Sequence, residues 1–158
     1  MNIGINGISL VAALLVVGAC TEPSSTQLLQ SRVTTSLNPA QACNRQTSVE
    51  YLPTGARVRI PDTSLFVIGK TEVSDCGRYV LGSVVEAMLD PRIMQVTIEP
   101  GGDVKAPDAY LPRERAGTVA GLLSNVGFVP GQPPVVVQSA PVQSSGIWGV
   151  VLAVSDTK

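Results

Sequence analysis

The chain has 158 residues, with 11 Lys and Arg against 12 Asp and Glu, a formal net charge of −1 at pH 7 and no histidine. Near-neutrality supplies no basic field for a nucleic-acid backbone, and the missing imidazole removes the commonest general base and the commonest metal ligand together. A chain of this length, 44% hydrophobic, has room for one ordinary globular domain and a linker.

In chain order, the first element is an uncharged apolar run from Ile8 to Ala19. It is too short to cross a bilayer core, which takes about 20 residues, and reads as the apolar region of a secretory signal. It ends in Val17-Gly18-Ala19-Cys20, which resembles the bacterial lipobox, with an aliphatic residue and two small ones before a cysteine that is lipidated after cleavage. The plainer alternative is a buried N-terminal helix with a chance cysteine. The lipobox resemblance implies a signal peptide over 1–19 and acylation of Cys20, each buried methylene contributing about 0.8 kcal/mol to membrane attachment. Thr21 rather than Asp after that cysteine implies an outer-membrane lipoprotein facing the periplasm. The membrane is then one partner, reached through the N-terminal lipid.

Export also bears on the other cysteines. With Cys20 lipidated, Cys43 and Cys76 remain, an even pair in an oxidising compartment, and a disulfide between them is expected. Two free buried thiols are the alternative. Residues 20–51 are rich in Ser, Thr, Gln, Asn and Pro, a composition that buries too little apolar surface to offset its ordering entropy, and they read as a lipidated, flexible tether. The folded domain is expected over 52–158.

Within it, Arg57 to Ile60 alternates as a half-buried strand closed by Pro61-Asp62. Leu65 to Ile68 is an apolar run ended by Gly69. Ser74 is an N-cap with Asp75 in the first turn, and Cys76, Val80, Leu81, Val84, Val85, Met88 and Leu89 recur at helical spacing until Asp90-Pro91 stops the helix. Met94, Val96 and Ile98 alternate as a strand. After a polar loop from Glu99 to Pro112, Ala116, Val119, Leu122, Leu123 and Val126 mark a second helix capped by Gly127. Val135 to Val137 and Trp148 to Val154 close the domain as strands, and Trp148 reads as a core filler, with an interface anchor as the alternative. The fold class is α+β, a βαβαββ two-layer sandwich with both helices on one sheet face.

The order of these segments resembles the OmpA-like C-terminal domain, the family that includes the peptidoglycan-associated lipoprotein. Leu65 to Val73, with Gly69-Lys70, is similar to the family's "FDFGKAEL" opening, and Gln95 to Asp103 stands at its "VxVxGHTD" strand and loop. Asp108-Ala109-Tyr110 resembles "DAYN", and Arg113-Glu114-Arg115-Ala116 resembles "SERRA". The resemblance implies an OmpA-like fold and non-covalent binding of peptidoglycan through the diaminopimelate of the stem peptide. That ligand presents an ammonium and a carboxylate on one carbon. Asp103, at the motif's aspartate, is expected to take the ammonium, and Arg115 to take the carboxylate through its two-pronged guanidinium. Taken singly, Asp103 reads as a solvated loop carboxylate beside two glycines, and Arg115 as an exposed first-turn cation or a partner of Glu114.

Departures from the motif support a second expectation. Gly102 replaces the threonine, Leu111 the asparagine, and Trp148-Gly149 the late arginine pair. The chain is then a structural subunit of an outer-membrane secretion or pilus complex that keeps the fold and has lost peptidoglycan binding, with other subunits of that complex as partners. Neither reading involves catalysis, a cofactor, a metal or nucleic acid. No Cys–His pair is possible, and Gly101-Gly102 lacks the spacing of a phosphate loop.

Overall fold

The computed structural model describes residues 22–37, 43, 47–101, 110–125, 133–138 and 146–154. Alternating apolar residues build a five-stranded sheet from β1 (Ser48–Leu52), β2 (Gly55–Pro61), β3 (Ile93–Glu99), β4 (Val135–Val137) and β5 (Ile147–Val154), in the order β1-β2-β5-β3-β4. β5 lies at the centre, antiparallel to β2 and β3, while β4 runs parallel to β3 at one edge. The helices are α1 (Ser25–Leu37), the single turn α2 (Asp62–Leu65), α3 (Asp75–Met88) and α4 (Tyr110–Ser124). The expected βαβαββ order is present as β2-α3-β3-α4-β4-β5, extended at its front by α1 and β1. The α+β architecture expected from the sequence is therefore the one observed.

One face of the sheet is the core. Ala56, Val58 and Ile60 of β2, Val96 and Ile98 of β3, and Trp148, Val150 and Leu152 of β5 are buried in one cluster with residues of α1, α3 and α4. Their neighbours along each strand point to the opposite face, as the two-residue period of a strand requires. There Arg57 pairs with both Glu50 and Glu99, at 3.0 and 2.9 Å, and Arg59 with Glu50 at 3.2 Å. The Arg57–Glu99 pair spans β5, and a Cβ on Gly149 would collide with the Glu99 carboxylate. The missing side chain at 149 is what lets the bridge lie across the central strand.

α3 forms as its sequence dictates. The Ser74 hydroxyl accepts from the Gly77 amide at 2.9 Å, satisfying one of the orphan donors of the first turn, and Val80, Leu81, Val84, Ala87 and Met88 are buried. The disulfide is present, with the Cα atoms of Cys43 and Cys76 5.4 Å apart. It fastens the chain between α1 and β1 to the start of α3, and a loop of this size stabilises by about 3–4 kcal/mol in the chain-entropy account.

Residues 25–37, expected to belong to a flexible tether, form α1 instead. Leu29, Val33 and Leu37, spaced by four, are buried at 0%, 0% and 3% exposure. A reciprocal capping box opens the helix: the Ser24 hydroxyl accepts from the Gln27 amide, and the Gln27 side-chain oxygen accepts from the Ser24 amide. The Gln30 side chain then donates to the carbonyls of Leu52 and Gly55, tying α1 to the β1–β2 turn. Three apolar residues on one stripe outweigh a polar composition when a core lies within reach.

Smaller departures have local causes. Met94 is exposed and Ile93 takes the buried position, because the β3–β5 register shifts between Ile93 and Gln95 and turns the side chains over. Leu89 and Leu122 are also exposed. Val126 and Gly127 lie outside the described residues.

Candidate functional site

Arg115 lies on α4 four residues before Val119 and eight before Leu123, so it shares their inward stripe and is only 6% exposed. It is not an exposed first-turn cation. Its guanidinium lies over the Phe66 ring, 4.7 Å from the centroid. Nε donates to the Lys70 carbonyl at 2.8 Å, and Nη1 donates to both carboxylate oxygens of Asp62 at 2.8 Å. Among the described residues none accepts from Nη2.

Asp62 is itself fixed. Its Oδ1 accepts from the indole N–H of Trp148 at 2.9 Å, and its backbone amide donates to the Gly146 carbonyl at 2.7 Å. Trp148 is 1% exposed and packs against Phe66 with centroids 5.2 Å apart. The core role expected of it is observed, and its polar end finds a partner, as a buried indole requires. Phe66 is held in turn by a bridge to Val73 across the 67–72 turn, where Gly69 takes φ 72° and Ile68 points into solvent. Arg115, Asp62, Trp148 and Phe66 thus form one connected cradle drawn from α4, α2, β5 and the 66–73 turn.

The arrangement leaves a narrow chemical opening. A guanidinium grips a carboxylate by presenting two parallel N–H bonds. With Nε and Nη1 committed, Nη2 is the nitrogen left open among the described residues, so the two-nitrogen grip expected of Arg115 requires Asp62 or Lys70 to let go. Asp103, the expected partner for an ammonium, lies outside the described residues. Cys20, the expected lipidation site, does too.

Sequence reasoning missed Asp62 and the polar role of Trp148. Asp62 reads only as a strand terminator after Pro61. Its partners are 53 and 86 residues away, and nothing local marks them. The clue is topological: β2 and β5 pair with Ile60 opposite Trp148, which brings Asp62 beside the indole once that register is known.

A second arginine–carboxylate cluster sits in the α3–β3 turn. The Asp90 carboxylate accepts from the Arg92 backbone amide at 3.0 Å and from Arg92 Nε at 2.8 Å, contacts Arg92 Nη2, and lies 3.5 Å from Arg32 of α1. The Arg92 side-chain hydrogen bonds hold its carboxyl below the usual carboxylate range. It is a structural knot.

No protein-family model and no curated protein matches the chain. Solved structures do. The cell wall anchor of the T6SS from Pseudomonas aeruginosa aligns with a TM-score of 0.58 at 19% identity, over 77% of this chain and 96% of that one. A MotB-like protein from Desulfovibrio vulgaris aligns with a TM-score of 0.60 at 13% identity, over 81% and 94%. The periplasmic domain of Helicobacter pylori MotB aligns with a TM-score of 0.50 at 16% identity, over 73% and 86%. Identities this low establish architecture alone, and that architecture agrees with the order of motifs in the sequence: the chain has an OmpA-like fold.

Proposed function

We propose that this chain is a periplasm-facing envelope lipoprotein that docks non-covalently on peptidoglycan, using Arg115 for the carboxyl end of the stem peptide's diaminopimelate and Asp103 for its ammonium. Acylated Cys20 would anchor it to the outer membrane, and the domain would tie that membrane, or an envelope machine, to the wall. It acts by binding, without catalysis. The observation that carries the reading is Arg115 itself. A buried guanidinium stacked on Phe66 and held at Nε and Nη1 has one nitrogen without a partner among the described residues, and 102–109, which contains Asp103, leads directly into its helix. Likeness of fold to a cell wall anchor supports the same direction.

Sedimentation with purified sacculi tests it. Wild type is expected to pellet, and Asp103→Ala and Arg115→Lys to remain in the supernatant while folded. Equal pelleting of all three would refute the assigned residues. The anchor is tested separately by intact mass of membrane-extracted protein, where cleavage before Cys20 and added acyl chains are expected.

The pairing of Arg115 with Asp62 favours a second reading. A guanidinium already neutralised inside the fold needs no ligand, so the domain could serve as a structural subunit of a secretion or pilus complex. Failure of wild type to bind sacculi, with recovery of envelope subunits by cross-linking in cells, would select it.

A further inference from the structure

We infer that Asp62 sets the ligand preference of this site, making it accept a diamino-acid centre whose carboxyl is amidated nearly as well as one whose carboxyl is free. The inference rests on the peptidoglycan reading above and concerns which chemical form of the stem peptide is bound.

The argument starts from charge. A free carboxylate outcompetes its carboxamide at an arginine for two reasons: it fills both prongs of the fork, and it neutralises a cation. Here both advantages are already spent inside the protein. Nη1 is given to both oxygens of Asp62 and Nε to the Lys70 carbonyl, so among the described residues Nη2 is the one nitrogen left for a ligand, and the parallel two-nitrogen fork is not on offer. The positive charge is compensated by a carboxylate 2.8 Å away. A carboxamide oxygen accepts one N–H as a carboxylate oxygen does, and against a compensated cation the extra Coulomb attraction largely disappears. Nor is Asp62 free to swing aside, since Trp148 and the Gly146 carbonyl hold its two ends.

The test is titration calorimetry of the full chain in mild detergent with two synthetic stem tripeptides, identical except for a carboxamide on the side-chain centre of diaminopimelate. Wild type is expected to bind the two within about fivefold of each other. Asp62→Asn keeps the oxygen that accepts from Trp148 but removes the charge, and is expected to favour the free acid by about tenfold or more, the ratio that an uncovered charge-assisted bond brings. Wild type favouring the free acid by more than fivefold overturns the inference while leaving peptidoglycan binding intact. A folded Asp62→Asn that also stays within fivefold overturns it too, because Asp62 would not be the cause. If Asp62→Asn fails to fold, judged by Trp148 emission, the wild-type ratio decides alone. If wild type binds neither peptide, the peptidoglycan reading itself fails and takes the inference with it.

Discussion

Asp62 and Asp90 each hold an arginine, yet the pairs are built in opposite senses. At Asp90 the carboxylate is the buried member, with its side chain 0% exposed, and Arg92 reaches in from a position 32% exposed. At Asp62 the arginine is the buried member at 8%, and the carboxylate is 22% exposed. Asp90 sits in a turn and receives a backbone amide plus two nitrogens of one guanidinium, so its acceptor capacity is consumed locally. Arg115 sits on a helix stripe and reaches two other elements, α2 and the 66–73 turn, with one nitrogen uncommitted among the described residues. The difference teaches how to separate a structural knot from a candidate site. A buried anion with near-sequence donors closes on itself, whereas a buried cation assembled from distant elements, with a nitrogen unpartnered among the described residues, is the better candidate for a ligand.

The comparison breaks first at Arg115. Arg115→Ala leaves Asp62 without its counter-ion and the Phe66 ring uncovered, and is expected to cost about 3–5 kcal/mol, the range for removing one partner of a buried pair. Urea unfolding followed by the single tryptophan measures it, and a loss under about 1 kcal/mol would mean the cradle is not a unit. Leu29→Ala attacks the other side, because α1 carries Arg32 toward Asp90. A fully buried leucine cut to alanine costs about 2–5 kcal/mol, and the peptide-binding ratio of the Arg115 site should not move. A near-zero effect would return 25–37 to the tether.

Asp90→Asn is expected to cost about 2 kcal/mol at neutral pH, the scale of hydrogen bonds to a charged group, and to flatten the acid limb of stability. The sign follows from the lowered carboxyl. Its stabilisation is complete above the ordinary carboxylate range, near pH 4, and is lost as pH falls below that toward the folded value. Denaturation midpoints at pH 7 and below pH 4 for wild type and variant check this. Arg32→Ala should do least, under about 1 kcal/mol, because that ion pair is long and its arginine half exposed.

Much of the scaffold was readable beforehand, and its failures have physical causes. α3 was legible because its cap, its stripe and its Asp-Pro stop all agree, and consistent local signals rarely mislead. α1 carried equally good signals, a Ser-x-x-Gln box and a stripe spaced by four, but they lay in a segment judged by composition. Met94 was misplaced because a bulge cannot be seen in an alternating pattern. Arg115 could be singled out from the order of motifs. Its occupancy by Asp62 could not, since no periodicity predicts which carboxylate a fold will deliver across 53 residues.

The position of β5 has a kinetic consequence. β2 and β3 have no ladder with each other; each hydrogen-bonds to β5, the seam between them. Half the sheet therefore waits, unzipped, until residues 147–154 arrive, and such long-range closure is intrinsically slow. The indole that steadies Asp62 comes in on that same late strand, so the arginine cradle cannot exist in any nascent chain that has not yet reached Trp148.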